Sequence, residues 1–91
     1  MKNLSNVSIF LASVFFLYAV AYSDSTFEGL KRMAELGDTV AQLNLGNSYY
    51  AGNGTPQNYN QAADWYLIAA KKGNAIAQNN LGMMYSIGIG V

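Results

Sequence analysis

The 91-residue sequence has no cysteine and no histidine, one proline, and only five basic and five acidic side chains. Without cysteine it has no disulfide framework, which many small secreted domains use to hold themselves together, and no thiol to carry a lipid at a cleavage site. Without histidine it also lacks the commonest general base. The carboxylates Glu28, Glu35, Asp38 and Asp64 fall at helix caps or on charged faces rather than as a convergent pair. No basic stripe is present to attract nucleic acid, and no acidic tract to hold calcium. The glycine pairs lack the lysine that a phosphate loop requires. The composition points away from catalysis and implies neither a cofactor nor a metal.

Long apolar runs are scarce as well. Lys2 supplies a short positive start, and Val7 to Ala21 is apolar apart from Ser8 and Ser13. That run falls short of the ~20 residues a spanning helix needs. Small residues follow it at cleavage-site spacing, as Ala19-Val20-Ala21 or Ala21-Tyr22-Ser23. Residues 1–23 therefore read as a signal peptide cut after Ala21 or Ser23, which makes the chain periplasmic or secreted, with no membrane span after cleavage. From Asp24 onward, Lys31, Arg32, Lys71 and Lys72 stand against Asp24, Glu28, Glu35, Asp38 and Asp64, four against five, for a net charge of −1. A single core in a chain below ~70–80 residues rarely supplies more than ~3–5 kcal/mol, so its packing must be economical.

What the sequence does have is self-similarity. With residues 33–55 set over 69–91, an offset of 36, ten of the 23 positions are identical: Ala34/Ala70, Gly37/Gly73, Ala41/Ala77, Gln42/Gln78, Asn44/Asn80, Leu45/Leu81, Gly46/Gly82, Tyr49/Tyr85, Gly52/Gly88 and Gly54/Gly90. A period of roughly 20–50 residues marks a solenoid of stacked supersecondary units. Ser25 and Glu28 have capping-box spacing for a first helix over 26–36, with Phe27, Leu30, Met33 and Ala34 on its inward face and Gly37 ending it. Asp38 caps a second helix to about Ala51, striped by Ala41, Leu45 and Tyr49 with Val40 and Gly46 beside the stripe. Gly46 costs about 1 kcal/mol of helix propensity relative to alanine, and close approach of a neighbouring helix is the expected return, there and at Gly82.

After the turn at 52–56, Asn58 caps a third helix to about Lys72, with Gln61 in the reciprocal capping position. Ala62, Trp65, Tyr66, Ala69 and Ala70 have the spacing of one buried face. Gly73 and Asn74 restart the cycle, and Ala77, Leu81 and Tyr85 rebuild the stripe.

The series Gly52-x-Gly54, Ala62-x-x-Trp65-Tyr66-x-x-Ala69-Ala70-x-x-Gly73, Ala77-Gln78-x-x-Leu81-Gly82-x-Met84-Tyr85-x-x-Gly88-x-Gly90-Val91 resembles the Sel-1-like repeat, a relative of the tetratricopeptide repeat. The match is good over 37–91 and worn over 25–36, where Gly29 and Leu30 hold the Trp65 and Tyr66 slots; Thr55 and Asn58 replace the usual valine and aspartate. The resemblance implies an all-α, tetratricopeptide-like α-α solenoid of antiparallel helix pairs, about four helices after the leader. It divides the chain into a degenerate opening helix (24–36), a complete repeat (37–72) and the first helix of another (73–91). It also implies an adaptor that binds proteins or peptides, and it brings no catalytic residues. The family's cysteine-rich branch, linked with β-lactams, fits poorly without cysteines.

Trp65 and Tyr66 are expected in the core, like Tyr49 and Tyr85, whereas Tyr50 and Tyr59 lie off the stripes as candidate contact residues. Gln42, Gln78, Asn44 and Asn80 either line a groove or bond between helices, and the second is favoured because buried amides normally find partners. Asn53-Gly54-Thr55 matches a glycosylation acceptor but arises equally from turn chemistry. On the last helix Ile76, Leu81, Met84 and Ile87 are expected to form an uncovered apolar face that docks a partner helix or a second copy of the chain. A competing expectation is that the chain is a fragment of a longer repeat protein with no role of its own.

Overall fold

In a computed structural model the described residues are 26–91; the expected signal peptide and the Ser25 cap lie outside them. Helix α1 spans Phe27–Glu35, α2 Thr39–Ala51, α3 Tyr59–Lys71 and α4 Ala75–Ile87. Among the described residues there is no strand. Each helix packs on the next in sequence, so α2 lies between α1 and α3, and α3 between α2 and α4. The chain is an all-α, tetratricopeptide-like solenoid.

Local chemistry sets the helix ends. The Asp38 carboxylate accepts from Ala41 N at 2.8 Å, Asn58 Oδ1 from Gln61 N at 3.0 Å, and Asn74 Oδ1 from Ala77 N at 2.8 Å. Each bond satisfies a backbone donor that has no partner inside the first turn. Thr26, in extended backbone, holds the cap position of α1. α2 and α4 end alike, at Gly52 and Gly88, whose φ values of 71° and 77° are left-handed and whose N–H groups return to Ser48 O and Met84 O.

Two apolar clusters hold the stack. Ala34, Ala41 and Leu45 join α1 to α2, with Phe27, Leu30, Tyr49 and Trp65 packed around them. Leu43, Ala62, Ala63, Tyr66, Ala69, Ala77, Leu81 and Met84 join α2, α3 and α4. Four alanines in the second cluster let α3 sit close to both neighbours. Between α2 and α3 the approach is close at Gly46, where a Cβ would stand 2.6 Å from two ring carbons of Tyr66. That glycine serves the close packing expected of it.

The packing corrects four expectations. Leu81 and Met84 are only 8% and 1% exposed, because α4 turns toward α3 the same face that α2 turns toward α1; they belong to the core and are not an open surface. Tyr85 is 61% exposed, although its counterpart Tyr49 is half-buried. Phe27 meets Tyr49 edge-on, with centroids 5.4 Å apart, and Trp65 packs against the same cluster. One repeat on, Phe27 is replaced by Ala63, which is too short to cover a ring. Gly82 has open space around it, with nothing within 4 Å of where a Cβ would stand, since no described helix lies over it. Met33, expected on the inward face, is 49% exposed.

Candidate functional site

α2, α3 and α4 together form a depression of about 230 Å³ lined by Asn47, Tyr50, Tyr66, Asn80 and Met83. The Tyr66 ring is buried in the α2–α3 contact, which brings its hydroxyl to Asn47 Oδ1, to which it donates at 2.6 Å. Asn80 Nδ2 donates to the same oxygen at 3.4 Å. Burial pushes the pKa of the Tyr66 hydroxyl above the ordinary tyrosine value of 10.0; the Asn80 amide pulls it down and Tyr50 adds a smaller upward push. The hydroxyl is thus a neutral donor at physiological pH. Asn47 and Asn80 spend one oxygen and one amide on this network, which leaves the Asn47 amide and the Asn80 carbonyl at the rim without partners among the described residues.

Of the two tyrosines expected as exposed contacts, only Tyr50 reaches this depression. Tyr50 and Tyr59 are both half-buried, edge-on to each other at 5.1 Å, and packed on the larger cluster. Gln57 Nε2 holds the pair, donating to Tyr59 Oη at 3.0 Å and to the Tyr50 carbonyl at 2.9 Å. The structure therefore makes Tyr59 a packing residue, because the loop before α3 folds back onto α2.

The glutamines tie helices together. Gln42 Nε2 donates to Ala34 O and Gln78 Nε2 to Ala70 O, each at 3.1 Å, the same bond one repeat apart. Gln42 Oε1 is buried without a partner. Asn44 is exposed, and only Asn80 of the four carboxamides lines the depression.

A second, shallower depression of about 400 Å³ lies on the outer side of α4, along Gln78, Asn79, Gly82, Met83, Ser86 and Ile87. Ile76 and Ile87 are exposed, as expected. Asn47 and Met83 were not singled out by sequence reasoning. The signal that could have found them was their register, since Met83 stands where the repeat places Asn47, one residue after each helical glycine. Among the described residues no three acidic, histidine or cysteine side chains cluster as metal ligands, and no helix is long and apolar enough to cross a membrane.

The Sel1 repeat family model matches residues 39–74 and 75–91. The chain belongs to the Sel1 repeat family. It is 40% identical over 60 residues to the ERAD-associated E3 ubiquitin-protein ligase component HRD3B of Arabidopsis thaliana, covering 66% of this chain and 10% of that protein. It is 39% identical over 66 residues to the secretory immunoglobulin A-binding protein EsiB of Escherichia coli, covering 71% of this chain and 14% of EsiB. The crystal structure of a Sel1 repeat protein from Oxalobacter formigenes superposes with a TM-score of 0.64 at 38% identity, over 71% of this chain and 26% of that one. The Sel1 chain thus spans about a tenth of the length of HRD3B. Sel1 repeats generally mediate protein–protein interaction, and proteins built from them are typically scaffolds without enzymatic activity.

Proposed function

We propose that this Sel1 chain is an exported interaction module that holds an extended segment of a partner protein in the depression between α2 and α4. The observation that carries this reading is the pairing of Asn47 and Asn80 at its rim, with one amide and one carbonyl unspent among the described residues. A carboxamide presents a donor and an acceptor together, which matches the alternating N–H and C=O of an extended peptide. Tyr66 and Met83 supply an apolar floor for one side chain, and Tyr50 an aromatic wall, a residue type enriched at interfaces. The binding of immunoglobulin A named for EsiB is in keeping with a protein ligand.

The test is selection of displayed peptides against the purified protein, followed by titration of the strongest binder with NMR detection. Shifts at the Asn47 and Asn80 side-chain amides, and weaker binding by Asn80→Ala, are expected. Binding that leaves those amides unmoved sinks the reading. Export is tested separately: protein recovered outside the cytoplasm of an exporting host should begin at Tyr22 or Asp24, and an N-terminus at Met1 contradicts it.

A further inference from the structure

The 36-residue register makes α4 the counterpart of α2, and α1 the counterpart of α3. Inside the molecule, α3 covers α2 by setting Tyr66 over Gly46. The register places Leu30 of α1 in the role of Tyr66, and Gly82 of α4 in the role of Gly46. Among the described residues no helix lies over Gly82, and a methyl group built there meets nothing within 4 Å. A glycine inside a helix costs about 1 kcal/mol relative to alanine, and no packing among the described residues offsets that cost at position 82.

We infer that α1 of a second copy of this chain docks on the outer side of α4, repeating the α3-on-α2 contact between molecules, head to tail.

Among the described residues the two faces are uncovered, and they match at the position that closes the internal contact. In the internal contact a polar pair closes the interface, the Tyr66 hydroxyl on Asn47 Oδ1 at 2.6 Å. Between copies both members change together: Leu30 replaces the tyrosine and Met83 replaces the asparagine. A leucine leaves no hydroxyl to satisfy and a methionine offers no strong acceptor, so the pair stays apolar on both sides. Met33 stands where fully buried Ala69 stands in α3, and it is exposed in the single chain. Leu36 stands where Lys72 does, whose ammonium donates to Gly37 O. The same register carries Leu36, 82% exposed, to the Gly73 turn beside exposed Ile76. This face lies on the outer side of α4, apart from the rim asparagines of the proposed peptide site, with Met83 on the border between them.

Such a contact uses two different surfaces, so each added copy presents a fresh α4 and the assembly stays open. One helix on one helix falls at the small, transient end of the range of interfaces. Association is therefore weak and rises with concentration without stopping at a dimer.

The test is sedimentation velocity on protein purified from the full coding sequence, from micromolar to millimolar concentration. Wild-type mass is expected to climb past the dimer. Gly82→Leu projects into open space in the single chain, so it keeps the helical circular dichroism while weakening association by about tenfold or more. Met33→Lys blocks the other face to a similar degree. Each variant keeps one intact face, so an equimolar mixture should form heterodimers and stop there. A wild-type chain that stays monomeric throughout overturns the proposal. So does a closed dimer, or association unchanged in both variants. None of these outcomes bears on peptide binding, which Asn80→Ala reads separately.

Discussion

Gly46 and Gly82 are the same residue at the same point of the repeat, with opposite surroundings. A methyl group on Gly46 would stand 2.6 Å from the Tyr66 ring, and that ring is buried and tethered to Asn47. Overpacking of this kind costs about 1–3 kcal/mol, more than the gain in helix propensity. Gly46→Ala should therefore lower stability, whereas Gly82→Ala should raise it by up to about 1 kcal/mol; urea unfolding of both variants checks the sign. Equal effects would mean that Tyr66 yields freely. Tyr66 has its own signature. Burial raises its pKa in the folded chain above 10.0, so the fold favours the neutral hydroxyl. That contribution is fully present below pH 10 and is lost as pH rises through the folded value. Unfolding midpoints should hold steady up to about pH 10 and fall beyond it, and Tyr66→Phe should flatten the fall while losing about 1 kcal/mol with the Asn47 bond. The close approach at Gly46 was legible in the sequence because a mid-helix glycine needs a reason. The empty space over Gly82 and the exposure of Tyr85 were not, because a letter shows what a backbone permits and does not show which neighbour arrives. At Tyr85 the deciding residue is Ala63, in the place of Phe27, far away in sequence.

At the level of the helices, local signals served best. Asp38, Asn58 and Asn74 make the capping bonds that their positions imply, since a cap depends on three or four adjacent residues. The inward face of α4 was harder to read. Ile76, Leu81, Met84 and Ile87 do not lie on one face: Leu81 and Met84 join Ala77 against α3, while Ile76, Met83 and Ile87 point away. Periodicity gives α4 two apolar sides and cannot choose between them; the choice is made by the Ala63 and Ala70 surface of α3, which accepts a leucine and a methionine. Met84→Ala therefore empties a buried site and should cost about 2–5 kcal/mol, whereas Ile87→Ala on the exposed side should stay within about 0.5 kcal/mol. Thermal melts of the two variants separate them, and equally small losses would return Met84 to the uncovered face expected from the sequence. Asn74→Ala should cost about 1 kcal/mol with the lost cap.

In the whole molecule, stability is close to a sum of contacts between neighbours in the stack. α2 and α3 each have a helix on both sides, while α1 and α4 have one each among the described residues. Local opening should follow that order, because a helix covered on one side has fewer buried contacts to break. Amide exchange on dilute protein should therefore be slowest around Leu45 and Tyr66 and faster at the outer positions of α1 and α4. The two end helices should not behave alike, since α4 anchors Met84 and Leu81 in the larger cluster while α1 contributes only Ala34 fully to the smaller one. α1 should be the first to open. Head-to-tail stacking adds a further consequence: raising the concentration covers α1 and α4 together and leaves α2 and α3 unchanged. Protection gained at both ends in the wild-type chain, and absent in Gly82→Leu, would link the order of unfolding to the register of the repeat. Protection that rises uniformly along the chain would instead indicate nonspecific crowding, and equal exchange in all four helices at low concentration would mean that the stack opens as one unit.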